Sequence, residues 1–179
     1  SVAIVGLGGV GLSALLASLA VGSKKTIAID LSDEKLALAR ELGADHTLNP
    51  KDENFLEQIR DLTSGGANIA IETAGSGRAL ETAYNITRRG GTTVAAGMPG
   101  PEVNISLSHL SIAAEERVIK GSYMGSCVAQ RDIPKYLDMF QTGKLPVDRL
   151  LSRKIKFEDL NEAMDRLDDA KTVREVLIP

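Results

Sequence analysis

Near its start the chain reads Val2-Ala3-Ile4-Val5-Gly6-Leu7-Gly8-Gly9-Val10-Gly11, an apolar run that leads into the pattern Gly-x-Gly-x-x-Gly. Four consecutive apolar residues predict a buried strand, and the small and aliphatic residues after them predict a helix over residues 10–21. In such a unit the first glycine permits a tight turn, the second lets a ligand approach the backbone, and the third lets the helix pack closely on the strand. The stretch therefore predicts the opening unit of a parallel α/β sheet.

A second apolar run, Thr26–Ile29, ends at Asp30. An acidic residue at the end of the second strand, about 20 residues after the glycine pattern, can accept hydrogen bonds from the ribose hydroxyls of a dinucleotide. Its charge would also repel a 2′-phosphate. The spacing therefore predicts a dinucleotide site and favours NAD over NADP. The alternative is an ordinary strand, turn and helix whose glycines serve packing alone.

Short β-branched runs alternate with longer amphipathic stretches along the chain, which is the pattern of βαβ units. Strands are predicted at Val2–Val5, Thr26–Ile29, His46–Leu48, Ile69–Glu72, Thr92–Ala96, Val118–Lys120 and Val173–Ile178. Helices are predicted at residues 10–21, 33–42, 54–62 and 77–86. The sequence thus predicts an α/β fold, with a Rossmann-type doubly wound parallel sheet of about six strands and a C-terminal helix–strand extension.

The pattern changes after about residue 100. Val103–Leu107 alternates apolar and polar residues, which predicts an edge or interface strand. Beyond it we expect a helix with Pro134 in its first turn, and later a helix with one apolar face formed by Leu160, Ala163, Met164 and Leu167. We therefore expect a dinucleotide-binding domain over residues 1–125 and a C-terminal extension over residues 126–179.

The composition argues against several other classes of function. The 179 residues carry a formal charge of −3 and no long run of Lys or Arg, which argues against binding to nucleic acid or to a membrane surface. No apolar stretch of the sequence is long enough to cross a bilayer. The single cysteine, Cys127, excludes an intrachain disulfide framework and favours a reducing compartment, the cytoplasm.

Few residues of the chain could carry out catalysis or bind a metal. Cys127, His46 and His109 are scattered and lack the spacing of a zinc site. We expect His46 at the start of a strand and His109 in a polar loop, and interpret both as structural or solvated residues. The sequence therefore predicts no metal ligand and no catalytic residue in this chain, only a cofactor-binding role.

Five stretches carry a family resemblance: the glycine stretch, Ile27–Asp30, Glu41–Pro50, Glu72–Gly75 and Thr172–Leu177. In this order they resemble the zinc-dependent medium-chain alcohol dehydrogenases. The resemblance runs over the whole sequence but covers only the C-terminal half of that family's chains. It implies that a GroES-like catalytic domain, which carries the zinc ligands, precedes this sequence in an intact protein. The absence of an initiator Met and of a secretory signal leads to the same expectation of a fragment.

The resemblance implies the NAD(H)-binding half of an enzyme that oxidises a primary or secondary alcohol to an aldehyde or ketone, inactive without its other half. NAD is the implied cofactor, and zinc belongs only to the missing domain. The implied cofactor-binding residues are Gly6, Gly8, Gly9, Val10, Gly11, Asp30, Lys35, Thr73, Ala74, Gly75, Ala96, Gly97, Met98, Ser122, Met124 and Arg174.

Each group of these residues has an implied partner on the cofactor. Asp30 and Lys35 would hold the adenosine ribose, while Gly8–Val10 and Arg174 would contact the pyrophosphate. The backbone of Ala96, Ser122 and Met124 would bind the nicotinamide carboxamide, and Thr73–Gly75 and Ala96–Met98 would line the cleft. Without the resemblance, Lys35 and Arg174 would be interpreted as solvated surface residues, and Gly75 and Gly97 equally well as ordinary turn glycines.

The resemblance also implies a homo-oligomer in which Val103–Leu107 pairs with its twofold mate. We further expect an exposed apolar patch, including Leu150, Leu151 and Phe157, where the missing domain would pack.

Three other classes of protein remain open at this stage. A zinc-free NADPH-dependent medium-chain reductase is the nearest, and Asp30 argues against it. A non-catalytic nucleotide-sensing domain shares the glycine stretch and Asp30 but not Ala96–Pro99 or Arg174. A methyltransferase that binds S-adenosylmethionine usually carries an acidic residue before the glycine loop, where this chain has Val2–Val5.

Overall fold

A computed structural model describes residues 1–168 and 172–179 of the chain. The strands are β1 (Val2–Val5), β2 (Thr26–Ile29), β3 (His46–Leu48), β4 (Ala67–Glu72), β5 (Thr87–Ala95), β6 (Val118–Gly121), β7 (Arg153–Ile155) and β8 (Glu175–Leu177). The helices are α1 (Gly9–Ala20), α2 (Asp33–Glu41), α3 (Phe55–Thr63), α4 (Gly77–Ile86), α5 (His109–Ala114), α6 (Ala129–Gln141) and α7 (Leu160–Asp168). Short 3₁₀ turns lie at Met124–Ser126, Val147–Leu150 and Phe157–Asp159.

Six strands form one parallel sheet in the order β3-β2-β1-β4-β5-β6. The chain winds outward from β1 to β3 and then returns to the other side of β1 to build β4, β5 and β6. The winding direction therefore reverses between β1 and β4, and a doubly wound sheet has its ligand crevice at the carboxyl ends of those strands. β7 and β8 form a separate parallel pair.

The two faces of the sheet are covered by different helices. Along β1, Val2 and Ile4 join the apolar cluster that contains buried residues of α1 and α2. Ala3 and Val5 join the cluster that contains buried residues of α3 and α4. Because successive side chains of a strand point to opposite faces, a central strand covered on both sides must be apolar throughout. The predicted α/β fold with a doubly wound parallel sheet of six strands is confirmed.

Most element boundaries lie within two residues of those predicted, and the differences are local. β5 begins at Thr87 rather than Thr92, directly after α4 and without an intervening loop. The short strand β7 and the short helix α5 were not predicted. His109 is the first residue of α5 and not a loop residue, although it is exposed as expected. Pro134 lies in the second turn of α6, because that helix begins at Ala129.

Val103–Leu107 forms no ladder with the six-stranded sheet of this chain, so a place at the edge of that sheet was wrong. The backbone N–H groups of this segment bond elsewhere: Val103 donates to the carbonyl oxygen of Gly100 at 3.1 Å, and Ser106 donates to the Glu81 carboxylate at 2.8 Å. A turn and a side-chain contact thus replace the ladder that a strand would need. Pairing of this segment with a second chain stays a prediction.

Two of the three residues named for the expected apolar patch near the C-terminus are exposed. Phe157 is 71% exposed and Leu151 36% exposed, whereas Leu150 is only 3% exposed. Leu150 joins the apolar cluster that contains residues of α1, so its place in the patch was wrong. On α7, Ala163 is buried while Leu160, Met164 and Leu167 remain exposed.

Among the described residues, none of the helices combines the length and the apolar character needed to cross a bilayer.

Candidate functional site

The parallel sheet brings the predicted site residues that follow its strands together at the carboxyl ends of those strands. Each group directly follows a strand: Gly6–Gly11 follow β1, Asp30 and Lys35 follow β2, Thr73–Gly75 follow β4, Ala96–Met98 follow β5, and Ser122 and Met124 follow β6. All five strand pairs are parallel, so these carboxyl ends share one side of the sheet. Arg174 lies at the other end of the chain, directly before β8.

The fold does not require all three glycines of the Gly-x-Gly-x-x-Gly pattern for the same reason. Gly6 has φ +93°, and a methyl group there would lie 2.8 Å from Cβ of Ala74. A methyl group on Gly11 would lie 1.8 Å from the carbonyl oxygen of Gly6, so close packing of α1 on β1 excludes any side chain. Gly8 has φ −78°, and a methyl group there would meet no described atom within 4 Å. The fold therefore requires Gly6 and Gly11, whereas Gly8 keeps open the space into which a phosphate could approach the backbone.

The N-terminus of α1 lacks the caps that neighbouring helices carry. The N-cap hydroxyl of Ser32 accepts the N–H of Lys35 at 3.4 Å in α2, and that of Ser76 accepts the N–H of Ala79 at 3.2 Å in α4. The N-cap residue of α1 is Gly8, and its first turn contains no acidic residue. The first N–H groups and the positive end of the helix dipole thus face the crevice, which suits an anion.

Arg174 adds a positive charge at the same place. A methyl group on Gly9 would lie 3.4 Å from Nη2 of Arg174 and 3.2 Å from the carbonyl oxygen of Val173. The guanidinium therefore lies beside the first turn of α1. Its planar fork of donors matches the oxygens of a phosphate. The chain thus combines a helix N-terminus and an arginine around the space over Gly8.

Asp30 is held in place by two backbone groups. Its Oδ2 accepts the N–H of Leu7 at 2.7 Å, and its Oδ1 accepts the N–H of Ser32 at 2.9 Å. The carboxylate therefore anchors the glycine loop and still has lone pairs free for further donors. Lys35, half-buried in the first turn of α2, lies on the helix that follows Asp30. The anchoring role of Asp30 was not apparent from the sequence.

The loops after β4 and β5 are packed against the glycine loop and against each other. The Thr73 hydroxyl donates to the carbonyl oxygen of Gly6 at 2.6 Å. A methyl group on Gly75 would lie 2.8 Å from the carbonyl oxygen of Met98, and one on Gly97 would lie 2.2 Å from the backbone nitrogen of Gly75. Close backbone contact therefore accounts for both glycines, independently of any role in lining the cofactor cleft.

Glu72 joins these two loops and was missed by the sequence reasoning. It is the last residue of β4 and only 2% exposed. Its Oε1 accepts the N–H of Gly75 at 2.6 Å, and its carbonyl oxygen accepts the N–H groups of Ala96 and Gly97 at 2.9 and 3.0 Å. The available signal was a lone acidic residue at the end of an apolar strand, the same place that Asp30 has after β2.

The segment after β6 has an unusual backbone. The N–H of Ser122 donates to the carbonyl oxygen of Ala95 at 2.9 Å, which continues the pairing of β6 with β5. Met124, Gly125 and Ser126 then have φ values of 47°, 69° and 52°. Left-handed conformations are strained in residues other than glycine and are enriched at functional sites. The Met124 side chain is 80% exposed.

The helix N-terminus and the Arg174 guanidinium are groups that suit the phosphates of a dinucleotide. In the part of the chain that the structure describes, no group of three His, Cys, Asp or Glu side chains is placed to hold a metal ion. An open cavity of about 440 Å³ lies elsewhere, beside β3 between α2 and α3. Its walls carry both charges, including Arg40, Asp45 and Asp61, and it shares no residue with the glycine loop.

The winding order and the open crevice over Gly8 make this a Rossmann-type domain, a class that binds nucleotides where the winding reverses. The sequence profile of the zinc-binding dehydrogenases matches residues 9–142, and the chain belongs to that family. It is 36% identical over 179 residues to a geraniol dehydrogenase of Castellaniella defragrans, covering 99% of this chain and 48% of that protein.

Two solved structures of similar proteins superpose closely on this chain. An alcohol dehydrogenase zinc-binding domain protein from Burkholderia ambifaria superposes with a TM-score of 0.95 at 31% identity, over 100% of this chain and 48% of that one. Benzyl alcohol dehydrogenase from Acinetobacter calcoaceticus gives a TM-score of 0.94 at 30% identity, over 99% of this chain and 49% of that one. The chain thus spans about half the length of the relatives it matches, and the predicted family is confirmed.

Proposed function

We propose that this chain is the NAD(H)-binding half of a zinc-dependent alcohol dehydrogenase. The intact protein would oxidise a primary or secondary alcohol by hydride transfer to NAD. The observation that carries this proposal is the space over Gly8, bordered by the uncapped N-terminus of α1 and by the Arg174 guanidinium. Relatives named for geraniol and benzyl alcohol support an alcohol as the substrate.

The residues of this chain would bind and orient the cofactor. The backbone of Gly8, Gly9 and Val10, together with Arg174, would hold the pyrophosphate. Asp30 would accept hydrogen bonds from the ribose, with Lys35 beside it. Bound NAD supplies the hydride acceptor at its nicotinamide.

The remaining predicted residues would serve the nicotinamide end of the cleft. The loops Thr73–Gly75 and Ala96–Met98 would line it, and the backbone of Ala96, Ser122 and Met124 would hold the carboxamide. Glu72 keeps both loops in register through its three hydrogen bonds. The catalytic zinc would be held by the domain that the resemblance places before this one.

The choice of NAD over NADP rests on Asp30. A carboxylate fixed by two backbone N–H groups cannot turn away from a 2′-phosphate without losing those bonds. At about 4 Å even full solvent screening leaves roughly 1 kcal/mol of repulsion per pair of unit charges. A zinc-free NADPH-dependent reductase of the same family would need this repulsion to be absent.

Calorimetry with NAD, NADP and S-adenosylmethionine tests the proposal. The unaltered chain should bind NAD more tightly than NADP, and Asp30→Asn should shrink that ratio by at least about fivefold. Glu34→Gln is the matched control, because it removes an exposed carboxylate from the same helix end and should leave the ratio within about twofold. Binding of NADP or S-adenosylmethionine but not of NAD would contradict the proposal.

Three further assignments belong to the proposal. We propose that residues 1–125 form the cofactor-binding domain and that residues 126–179 pack on the missing domain through exposed Phe157 and neighbouring apolar residues. Cytoplasmic localisation is supported by the single free cysteine, Cys127, which is exposed. A homo-oligomer through Val103–Leu107 is supported by the exposure of that segment, since its Val103 and Ile105 are 39% and 41% exposed.

A further inference from the structure

The segment that carries Arg174 is held by one hydroxyl group. Ser152 lies just before β7, and its Oγ accepts the N–H of Val173 at 2.9 Å and the N–H of Arg174 at 3.3 Å. The N–H of Ser152 donates to the carbonyl oxygen of Arg174 at 2.8 Å. Three hydrogen bonds from one residue thus define the path of a two-residue segment that reaches the first turn of α1.

The next residue along the chain is fixed on the opposite side. The carboxylate of Glu175 accepts two hydrogen bonds from the Arg166 guanidinium of α7, at 2.8 and 2.7 Å, and its side chain is only 2% exposed. Because successive side chains in an extended segment point in opposite directions, holding Glu175 toward α7 directs Arg174 away from it. That direction is toward Gly9, where Nη2 of Arg174 lies.

We propose that Ser152 is a positioning residue for Arg174, which it holds beside the N-terminus of α1 so that the guanidinium can bind the pyrophosphate of a dinucleotide. This inference rests on the proposed function. An arginine side chain on a loosely held backbone would lose more conformational freedom on binding a phosphate than one whose backbone is already ordered. On this proposal Ser152 acts through the backbone of Val173 and Arg174, with which it makes its three hydrogen bonds.

The test compares a ligand that contains the pyrophosphate with one that lacks it. The dissociation constant of NAD is measured by calorimetry, and that of adenosine by NMR titration, for the unaltered chain and for Ser152→Ala, Ser152→Thr, Arg174→Gln and Ser152→Ala with Arg174→Gln. Ser152→Ala should weaken NAD binding about two- to tenfold, the equivalent of one neutral hydrogen bond, and leave adenosine binding unchanged. Ser152→Thr keeps the hydroxyl and should restore binding.

The double variant separates positioning from a general loss of structure. If Ser152 acts through Arg174, Ser152→Ala should weaken NAD binding by less than about twofold in the Arg174→Gln background. Additive effects of the two substitutions, an equal loss of adenosine binding, or unchanged NAD binding in Ser152→Ala would each overturn the inference while leaving the proposed function intact. An unaltered chain that binds adenosine but not NAD would overturn the proposed function, and this inference with it.

Discussion

Replacement of Gly8 by alanine should weaken cofactor binding without destabilising the fold. Gly8 has an ordinary φ of −78°, and an added methyl group would meet no described atom of the chain within 4 Å. Restricting the unfolded chain contributes about 0.4–1 kcal/mol of stability, and replacing glycine at an N-cap costs up to about 1 kcal/mol. The two effects offset each other, so the melting temperature should change by less than about 4 °C.

The effect on binding should be much larger. The methyl group would occupy the space through which, in the proposed function, the pyrophosphate would reach the first N–H groups of α1. Each charge-assisted hydrogen bond lost there is worth about 1.5–3 kcal/mol. The dissociation constant of NAD, measured by calorimetry, should therefore rise at least about tenfold.

Gly11→Ala is the contrasting variant. Its methyl group would lie 1.8 Å from the carbonyl oxygen of Gly6, so α1 would have to move away from β1. Overpacking of this kind costs about 1–3 kcal/mol, which should lower the melting temperature by about 3–10 °C. If Gly8→Ala destabilised the chain as much as Gly11→Ala, or bound NAD normally, the assignment of Gly8 to the ligand rather than to the fold would be refuted.

Two further predictions concern the C-terminal part of the chain. The Arg166 guanidinium holds the pKa of Glu175 below its ordinary value, so this pair stabilises the folded state above about pH 5 and the contribution is lost as the pH falls through the lowered pKa. Glu175→Gln should therefore lower the free energy of unfolding in urea at about pH 7 and change it much less at about pH 3; an equal loss at both would be inconsistent with an ionised pair. Phe157→Ser should reduce binding of the dye ANS and concentration-dependent self-association, because the Phe157 side chain is 71% exposed. The control variant Lys156→Ser, at the neighbouring residue, should reduce neither. Equal behaviour of the two variants would argue against an apolar docking surface at Phe157.

Local sequence signals predicted most of the large sheet. An unbroken apolar run marked β1, and a mainly apolar run that begins with a β-branched threonine marked β2. Serine or glycine residues marked the helix ends, because burial on both faces and turn geometry depend on residues close together in the chain. The same signals were weaker where a strand is short or exposed. β7 has only three residues, two of them exposed, and Val103–Leu107 alternates in polarity without forming a strand in this chain.

Burial near the C-terminus also depended on distant partners. Leu150 and Phe157 are both large apolar residues between predicted elements, and nothing in the local pattern distinguishes them. Leu150 is buried because it meets the cluster around α1, and Phe157 is exposed. Which of the expected residues are exposed could not be decided without the packing.

The amino-acid sequence alone determined the alternation of strands and helices along the chain, because each element has its own local pattern. It also determined the glycine loop and the acidic residue after the second strand, since these rest on spacing within one βαβ unit. Only the tertiary structure decided that the fold has room for a side chain at Gly8 but not at Gly11. It also decided that Glu72 joins two loops through its hydrogen bonds and that Ser152 holds Arg174 beside Gly9. These are contacts between segments distant in the chain, and their formation depends on how the elements pack, which no local pattern of residues records.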